Sequence, residues 1–406
     1  MKRLTLLLLG LALGVTATAR AQGLTMQMSN GWSFSFAGNV NAFWVLSKRN
    51  SSGGADTNAT VSSIRTGLLP SFATFDAKGR ESGMNLGVHI GFAPQIQNGG
   101  GAASTGAVHD QFGAQIDMRQ VYLTVGDPKW GQILAGRELA LFGRQNILND
   151  QTLFGVGAVG IGGGGAGGTT LGRIGYGYIY PNFEAQVTYS SKAGQPAQLS
   201  IGLFQPSIIT AVPAGNSYLY TRMPRVEAEF TYNKRSGANK FLVWAGGLWQ
   251  TTSNLPSGGR SLSSVGGTAG VRGDLQELSF VVTGYIAKGV GTVFGFGNTG
   301  GGPVAANDST GRPSDGGYVQ LGYTLNKKTT LAGSFGFSRL KNASSGEGAA
   351  ANNSAVRTQW SAYTVGIYHQ WTKSLKLVFE GTREQAGIGA AAPGQFDASG
   401  GFMLFF

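Results

Sequence analysis

The chain has 406 residues, no cysteine, 68 glycines and a formal net charge of +12, although only 12% of its residues are charged. The lack of cysteine excludes a disulfide scaffold, a zinc ribbon, an iron–sulfur site and a cysteine nucleophile. Three histidines, His89, His109 and His369, without an HExxH pair argue against a metal hydrolase or a Ser-His-Asp enzyme. We therefore expect a protein that is not an enzyme and that holds no metal and no cofactor.

The amino-terminal residues have the pattern of an export signal. Two basic residues at positions 2–3 precede the apolar run 4–15, and the triplet Ala-Arg-Ala at 19–21 is typical of a cleavage site. A membrane anchor would need about twenty apolar residues, so this run is too short to span a bilayer. We predict a signal peptide over 1–21 and a mature domain over 22–406, whose charge is 28 − 19 = +9.

Beyond the signal, apolar and polar residues alternate with a period of two. Phe34 and Phe36 fall on one face of the first segment, and Ser33 and Ser35 fall on the other. Such alternation is typical of a strand with one apolar and one polar face. The same pattern returns around residues 85–92, 277–286 and 319–325. No later stretch approaches eighteen consecutive apolar residues, so we expect the exported chain to contain no transmembrane helix.

Short polar turns, such as 127–129 and 326–328, alternate with eight long connections rich in glycine, serine and asparagine. The long connections lie near residues 47–60, 97–113, 140–170, 206–222, 252–263, 289–315, 341–355 and 387–394. Eight long loops and the short turns between them divide the chain into sixteen strands. An even strand count with long loops at one end is typical of an outer-membrane barrel. We predict an all-β fold, a sixteen-stranded antiparallel transmembrane β-barrel.

The composition of the two strand faces favours a barrel over a soluble sandwich. The polar faces carry mostly uncharged residues, whereas a sandwich needs a charged outer face in water. In lipid, strands must close so that every backbone polar group is paired. The aromatic residues expected at the headgroup level near strand ends are Trp32, Phe34, Tyr176, Tyr178 and Phe337. A secreted β-rich binding or adhesion protein remains the alternative.

The last strand gives a short and specific signal. Phe402, Leu404 and Phe406 share one face of the final alternating segment. This pattern resembles the tail by which bacterial outer-membrane proteins are recognised and inserted. We therefore predict that these three residues form a membrane-insertion signature.

Residues 117–154 carry the run Arg-Gln-Val-Tyr-Leu-Thr-Val-Gly from 119, followed by Trp-Gly-Gln-Ile-Leu-Ala-Gly-Arg from 130. This run resembles the fourth and fifth strands of the Gram-negative trimeric porin family, which lead into the third external loop. The strand count, the signal peptide and the terminal Phe406 agree with that family. One departure is that the family's Pro-Glu-Phe-Gly-Gly element is missing from the loop, where this chain has the glycine run Gly162–Gly165.

The resemblance implies a water-filled channel in the outer membrane of a Gram-negative bacterium. It also implies a homotrimer that contacts outer-membrane lipid and lipopolysaccharide, and a third external loop, near 140–170, that folds inward and narrows the pore. The composition of the loop is compatible, because a loop this apolar would not lie exposed in water. Its large apolar residues are Leu141, Phe142, Ile147, Leu148, Leu153 and Phe154.

Selectivity in a passive pore comes from its width and from charges along its wall. Strand parity, the alternation of side chains between the two faces of a strand, points Arg173, Arg225 and Arg272 into the lumen if the apolar face meets lipid. Arg65 is a further candidate. Arg137 and Arg144 resemble the wall arginines of the family. The predicted pore-lining and constriction residues are Arg65, Arg137, Arg144, Asp150, Arg173, Arg225 and Arg272. Each arginine has an alternative role as a rim residue that pairs with a lipopolysaccharide phosphate or with a nearby carboxylate.

These features predict a porin that lets small hydrophilic solutes diffuse passively, with a preference for anions. A substrate-selective channel for organic anions or other nutrients is the first alternative. The basic charges are scattered and form no run, so we expect no nucleic-acid partner.

Overall fold

The computed structural model describes residues 24–50, 59–96, 116–161, 168–209, 218–253, 261–296, 310–343, 356–387 and 393–406. The predicted signal peptide over 1–21, His109 and the glycine run Gly162–Gly165 lie outside the described residues. The described residues form one antiparallel sheet with a very small helical content.

The period of two in the sequence appears as a series of strand segments. They are β1 Leu24–Gln27, β2 Ser33–Asn50, β3 Thr60–Arg65, β4 Phe72–Glu81, β5 Met84–Pro94, β6 Ile116–Asp127, β7 Gly131–Leu139, β8 Phe183–Ser190, β9 Ala197–Phe204, β10 Arg225–Ser236, β11 Asn239–Ser253, β12 Ser261–Leu275, β13 Leu278–Lys288, β14 Pro313–Leu325, β15 Thr329–Lys341, β16 Val356–Gln370, β17 Leu375–Ala386 and β18 Gly394–Phe405. The helical elements are α1 Arg144–Leu148 and a 3-10 helix Gln151–Phe154.

The eighteen segments form sixteen wall strands, because two wall strands are each made of two collinear segments. β1 pairs with β2 directly beyond the end of β18, since Leu24 lies opposite Phe36 and Phe405 lies opposite Asn39. β3 and β4 both pair with the same side of β2 and form one interrupted strand. When each of these two pairs of segments is counted as one strand, the eighteen segments make sixteen strands, as the sequence predicts.

The barrel closes where the first wall strand meets the last. β2 pairs with β18 in antiparallel register from Asn39 to Asn50, and every other wall strand pairs with its chain neighbours. Closure satisfies the backbone donors and acceptors that would otherwise lie at a sheet edge. A closed single sheet differs from the two stacked sheets of a soluble sandwich, so the alternative fold considered from the sequence is wrong.

Alternating burial separates the two faces of the wall. In β18, Phe402 and Leu404 are exposed on the outside, whereas Asp397, Ser399 and Met403 are buried on the inside. The same alternation places apolar residues outside and mainly polar residues inside around the sheet, as a barrel in lipid requires. Within the described part of the chain, no helix has the length and apolar character needed to cross a bilayer.

The segment around residues 171–180 differs from the prediction. The alternating pattern predicts a strand here, with Tyr176 and Tyr178 at the lipid headgroups. The structure instead shows tight turns, with Gly172 and Gly175 at positive φ, and it buries both tyrosines inside the barrel. The alternation of glycine with bulky residues imitates a strand, but the positive φ values break the extended backbone. The connection after β7 therefore runs from 140 to 182, and we call it loop three.

Barrel closure depends on close backbone contact at Gly38. The Gly38 amide donates to the Phe406 carbonyl oxygen at 2.9 Å, and the Phe406 amide donates to the Gly38 carbonyl oxygen at 3.0 Å. A Cβ atom at position 38 would lie 2.2 Å from the Phe72 carbonyl oxygen and 2.8 Å from the Phe406 ring. The backbone of β4 and the ring of Phe406 therefore leave no room for a side chain.

We expect Gly38→Val to destabilise the closed barrel by about 1–3 kcal/mol, because overpacking against backbone forces a local shift. The effect is measured as the urea concentration at the midpoint of unfolding. Unfolding is detected by heat-modifiable migration on a gel. Gly267→Val is the matched control, since a Cβ there has no heavy atom within 4 Å. Equal midpoints for the two variants would contradict the role of Gly38.

Candidate functional site: loop three inside the barrel

Loop three enters the lumen through a short turn and a single helical turn. Gly143, at φ 83°, precedes α1. Asp150 then caps the 3-10 helix, because its side chain accepts a hydrogen bond from the Thr152 amide at 3.0 Å. An aspartate at this position satisfies a helix amide that has no partner within the helix. The local sequence therefore folds the first part of the loop into compact turns.

The apolar side chains of loop three pack against the inner wall. Ile147, Leu153 and Val156 are buried in a cluster that also contains wall residues Val281 and Val378. Burying these side chains stabilises the loop inside the barrel by roughly 1.5–3 kcal/mol each. Part of the lumen is therefore a packed apolar core and not water.

Polar groups near α1 fix the first half of the loop to strands β10–β13. The Phe142 amide donates to Glu227 Oε2 at 2.8 Å, and the Arg144 guanidinium pairs with Glu229 Oε1 at 2.6 Å. Asn146 donates to Thr268 Oγ1 at 2.9 Å and accepts from the Trp244 indole at 2.8 Å. Because both partners are buried in each case, these bonds define the position of the helix on the wall.

Two wall glutamates hold the middle of the loop. Glu380 Oε2 accepts from the amides of Val156 and Gly157 at 2.7 and 2.8 Å. Glu384 Oε1 accepts from the amides of Val159 and Gly160 at 2.6 and 3.1 Å. A carboxylate that bridges two successive amides is a strong, charge-assisted contact. The two carboxylates thus pair four amides of a segment whose other backbone groups bond to residues 171–172 and to Leu68.

The sequence analysis did not identify Glu380 or Glu384. Their spacing of four residues in an alternating strand places both on the inner face of β17. That parity was available in the sequence, but nothing in the sequence indicates which loop they contact. The four loop amides that they hold lie in the fragment 155–160, whose glycines leave the backbone amides accessible.

Arg173 and Asp150 lie in the most buried part of the loop. The Arg173 guanidinium donates to the carbonyl oxygens of Ala362 at 2.9 Å and Ser334 at 3.0 Å, and also to the Ser334 hydroxyl. Asp150 accepts from the Tyr178 hydroxyl at 2.9 Å. Burial raises the pKa of Asp150, and the charge of Arg173 opposes this shift. Burial also lowers the pKa of Arg173. Arg173 therefore holds loop three against the wall, whereas Asp150 joins two parts of the loop to each other.

The other predicted inner arginines also have partners. Arg65 donates to the carbonyl oxygens of Gly168 and Thr169 at 2.9 and 3.1 Å. Arg225 pairs with Glu227 at 2.9 Å, and Arg272 pairs with Asp274 at 2.9 Å. Carboxylates therefore compensate much of the positive charge that the sequence analysis placed on the lumen wall.

Arg137 lies on the other face of its strand, which corrects its predicted place in the lumen. It is exposed, and its cross-strand neighbours Val121 and Ala185 are also exposed on the outer face. Glu138, the next residue, points inward, where Gln120 donates to its carboxylate at 2.8 Å. The prediction for Arg137 came from the family resemblance, and strand parity at this position gives the opposite face.

We expect Glu380→Ala combined with Glu384→Ala to loosen loop three, because four backbone amides lose their acceptors. A buried unpaired donor costs about 1–3 kcal/mol. Single-channel recordings should show a larger and noisier conductance than in the unchanged protein. The control is Glu277→Ala, which removes an exposed carboxylate at the turn between β12 and β13. Identical recordings from the double variant and the control would contradict this role.

Comparison with known proteins shows what this architecture is similar to. No protein-family model matches the chain, and no curated protein sequence is similar to it. Among solved structures, the outer membrane channel DcaP of Acinetobacter baumannii matches with a TM-score of 0.63 at 14% identity, over 94% of this chain and 99% of that chain. An anion-selective porin from Comamonas acidovorans matches with a TM-score of 0.61 at 11% identity, over 92% and 100%.

OmpT of Vibrio cholerae, in its trimer form, matches with a TM-score of 0.52 at 14% identity, over 93% of this chain and 100% of that chain. The three likenesses extend over nearly the whole of each chain, so they concern the complete barrel and not a shared fragment. The chain has the sixteen-stranded barrel fold of outer-membrane porins and channels.

Proposed function

We propose that the protein is a member of the Gram-negative trimeric porin family, located in the outer membrane, that lets small hydrophilic solutes diffuse through its lumen. The observation that carries this proposal is a closed barrel with an apolar outer face and a loop fixed to its inner wall by buried hydrogen bonds. Such a loop narrows the lumen without sealing the side of the wall that it leaves uncovered. Passive diffusion needs no reacting group, in agreement with the expectation of no enzymatic activity.

The proposal includes export and assembly. The signal pattern over 1–21 supports export and cleavage before Gln22, and the apolar outer face of the barrel supports insertion into an outer membrane that contains lipopolysaccharide. The similar OmpT structure from Vibrio cholerae is a trimer form, which supports a homotrimer for this chain. Mass determination of the purified protein tests the cleavage site, and its migration in detergent before and after boiling tests the trimer.

An anion preference is the finer part of the proposal. It is supported by the mature charge of 28 − 19 = +9 and by the likeness to the anion-selective porin from Comamonas acidovorans. The inner arginines are paired with carboxylates or with carbonyl oxygens, so the field they exert on a passing ion is partly compensated. We therefore propose a moderate preference.

We expect the purified protein to form water-filled channels in a planar lipid bilayer. Under a salt gradient, the sign of the reversal potential should show that anions pass more readily than cations. Raising the salt toward 1 M should reduce the preference, because the screening length falls to about 3 Å. A clear cation preference would refute the anion proposal while leaving the channel intact. Membranes without conductance would refute the porin function itself.

A substrate-selective channel is distinguished from a general porin by solute flux into liposomes. For a general porin, the flux of neutral solutes falls with solute size and rises in proportion to concentration. Saturation with one organic anion, together with block of the ionic current by that anion, would favour the selective alternative.

A further inference from the structure

Loop three covers one part of the inner wall and leaves another part open. Among the described residues, hydrogen bonds from segment 142–173 to the wall run mostly to β10–β18, with further bonds to Arg65 at the end of β3 and to the backbone of Gly67 and Leu68. Near the end of loop three, the Tyr180 hydroxyl also accepts from Arg119 of β6 at 3.3 Å. Inward-facing residues of β10–β18 are mostly buried, for example Thr268, Thr364 and Thr382. The loop therefore occupies the lumen on this side.

The inner faces of β4–β7 have a different character. Many of their inward residues are partly or fully exposed, including Asp76 and Lys78 on β4 and Thr124 on β6, although Gly91 and Gly126 are buried. The side chains of Asp76 and Lys78 are 24% and 45% exposed, which is well above the values for the wall beneath the loop. Water has access to this side of the barrel.

A continuous polar strip crosses the open wall. His89 Nδ1 lies 3.1 Å from Asp76 Oδ1, and His89 Nε2 lies 3.4 Å from Gln120 Oε1. The Gln120 amide nitrogen donates to Glu138 Oε2 at 2.8 Å, and the His89 ring stacks on Tyr122 with the centroids 4.9 Å apart. Because each member is held by its neighbours, the strip presents fixed charges and hydrogen-bonding groups to a passing solute.

We propose that the aqueous path runs along the inner faces of β4–β7, and that Asp76 and Lys78 determine its charge selectivity more than the predicted arginines do. This inference rests on the proposed channel function and assigns its path. The buried arginines hold loop three or pair with wall carboxylates, so a passing ion does not meet them directly. Lys78 Nζ and Asp76 Oδ1 lie 3.7 Å apart, and both side chains are accessible to solvent. The path therefore has mixed charge, which agrees with a moderate anion preference and not with a strong one.

The absence of cysteine from the sequence allows the path to be mapped with single introduced thiols. Thr124→Cys places a thiol on the open wall, and Thr364→Cys places one beneath loop three, where Thr364 is 1% exposed. A negatively charged, membrane-impermeant methanethiosulfonate reagent is added to both variants in a planar bilayer. We expect an irreversible partial loss of conductance with Thr124→Cys and no change with Thr364→Cys.

Charge variants test the second half of the inference. Asp76→Asn should shift the reversal potential toward anions, and Lys78→Gln should shift it toward cations. The matched controls are Glu277→Gln and Lys327→Gln, which remove one exposed charge of each sign at short turns. We expect the controls to keep the reversal potential of the unchanged protein, and heat-modifiable migration shows that every variant is folded.

The inference is overturned if the thiol reagent acts at Thr364→Cys and leaves Thr124→Cys unchanged, or if the charge variants behave like their controls. Either result, obtained with a protein that conducts, rejects the path and leaves the porin function standing. A protein that forms no channel at all rejects the proposed function instead.

Discussion

The structure depends on one requirement, that backbone amides and carbonyls buried away from water must find partners. The wall meets it by closing, with β2 paired to β18 along a long antiparallel ladder. Loop three meets it differently, because its described residues form no strand and pair with backbone in short turns and isolated bridges. Carboxylates of the wall accept its amides, with Glu227 at one end of the loop and Glu380 and Glu384 in its middle.

Fixing the loop in this way changes the character of the lumen. The apolar side chains of loop three meet apolar wall residues such as Val281, Val378 and Met403, and together they form a dry core on one side of the barrel. The alternating pattern predicts mostly uncharged polar residues on the inner faces of the strands. The inner wall instead has two parts, an apolar and carboxylate-rich part beneath the loop and a polar part along β4–β7.

The contacts of each inner arginine determine how strongly its charge acts on a passing ion. A basic residue on an inward-facing position suggests an attractive field for anions. Arg144 and Arg225 instead lie against Glu229 and Glu227, and Arg173 donates to backbone carbonyl oxygens. The guanidinium groups of Arg144 and Arg173 are rigid donors that join loop three to the wall, whereas Arg225 pairs with a carboxylate of its own strand.

The strand number, the alternation of long loops and short turns, and the outer face with Phe402 and Leu404 could be predicted from the sequence, because side chains of a strand repeat with a period of two. It also indicated an apolar loop after β7 that avoids exposure to water. Parity could not place Arg173, because glycines at positive φ take residues 172–180 out of the extended conformation. Strand parity is enough to place Arg137 on the outer face, but the sequence does not show that Glu380 and Glu384 hold the loop or which part of the wall stays open. These features depend on contacts between residues more than two hundred positions apart, and no local pattern in a sequence encodes such pairings.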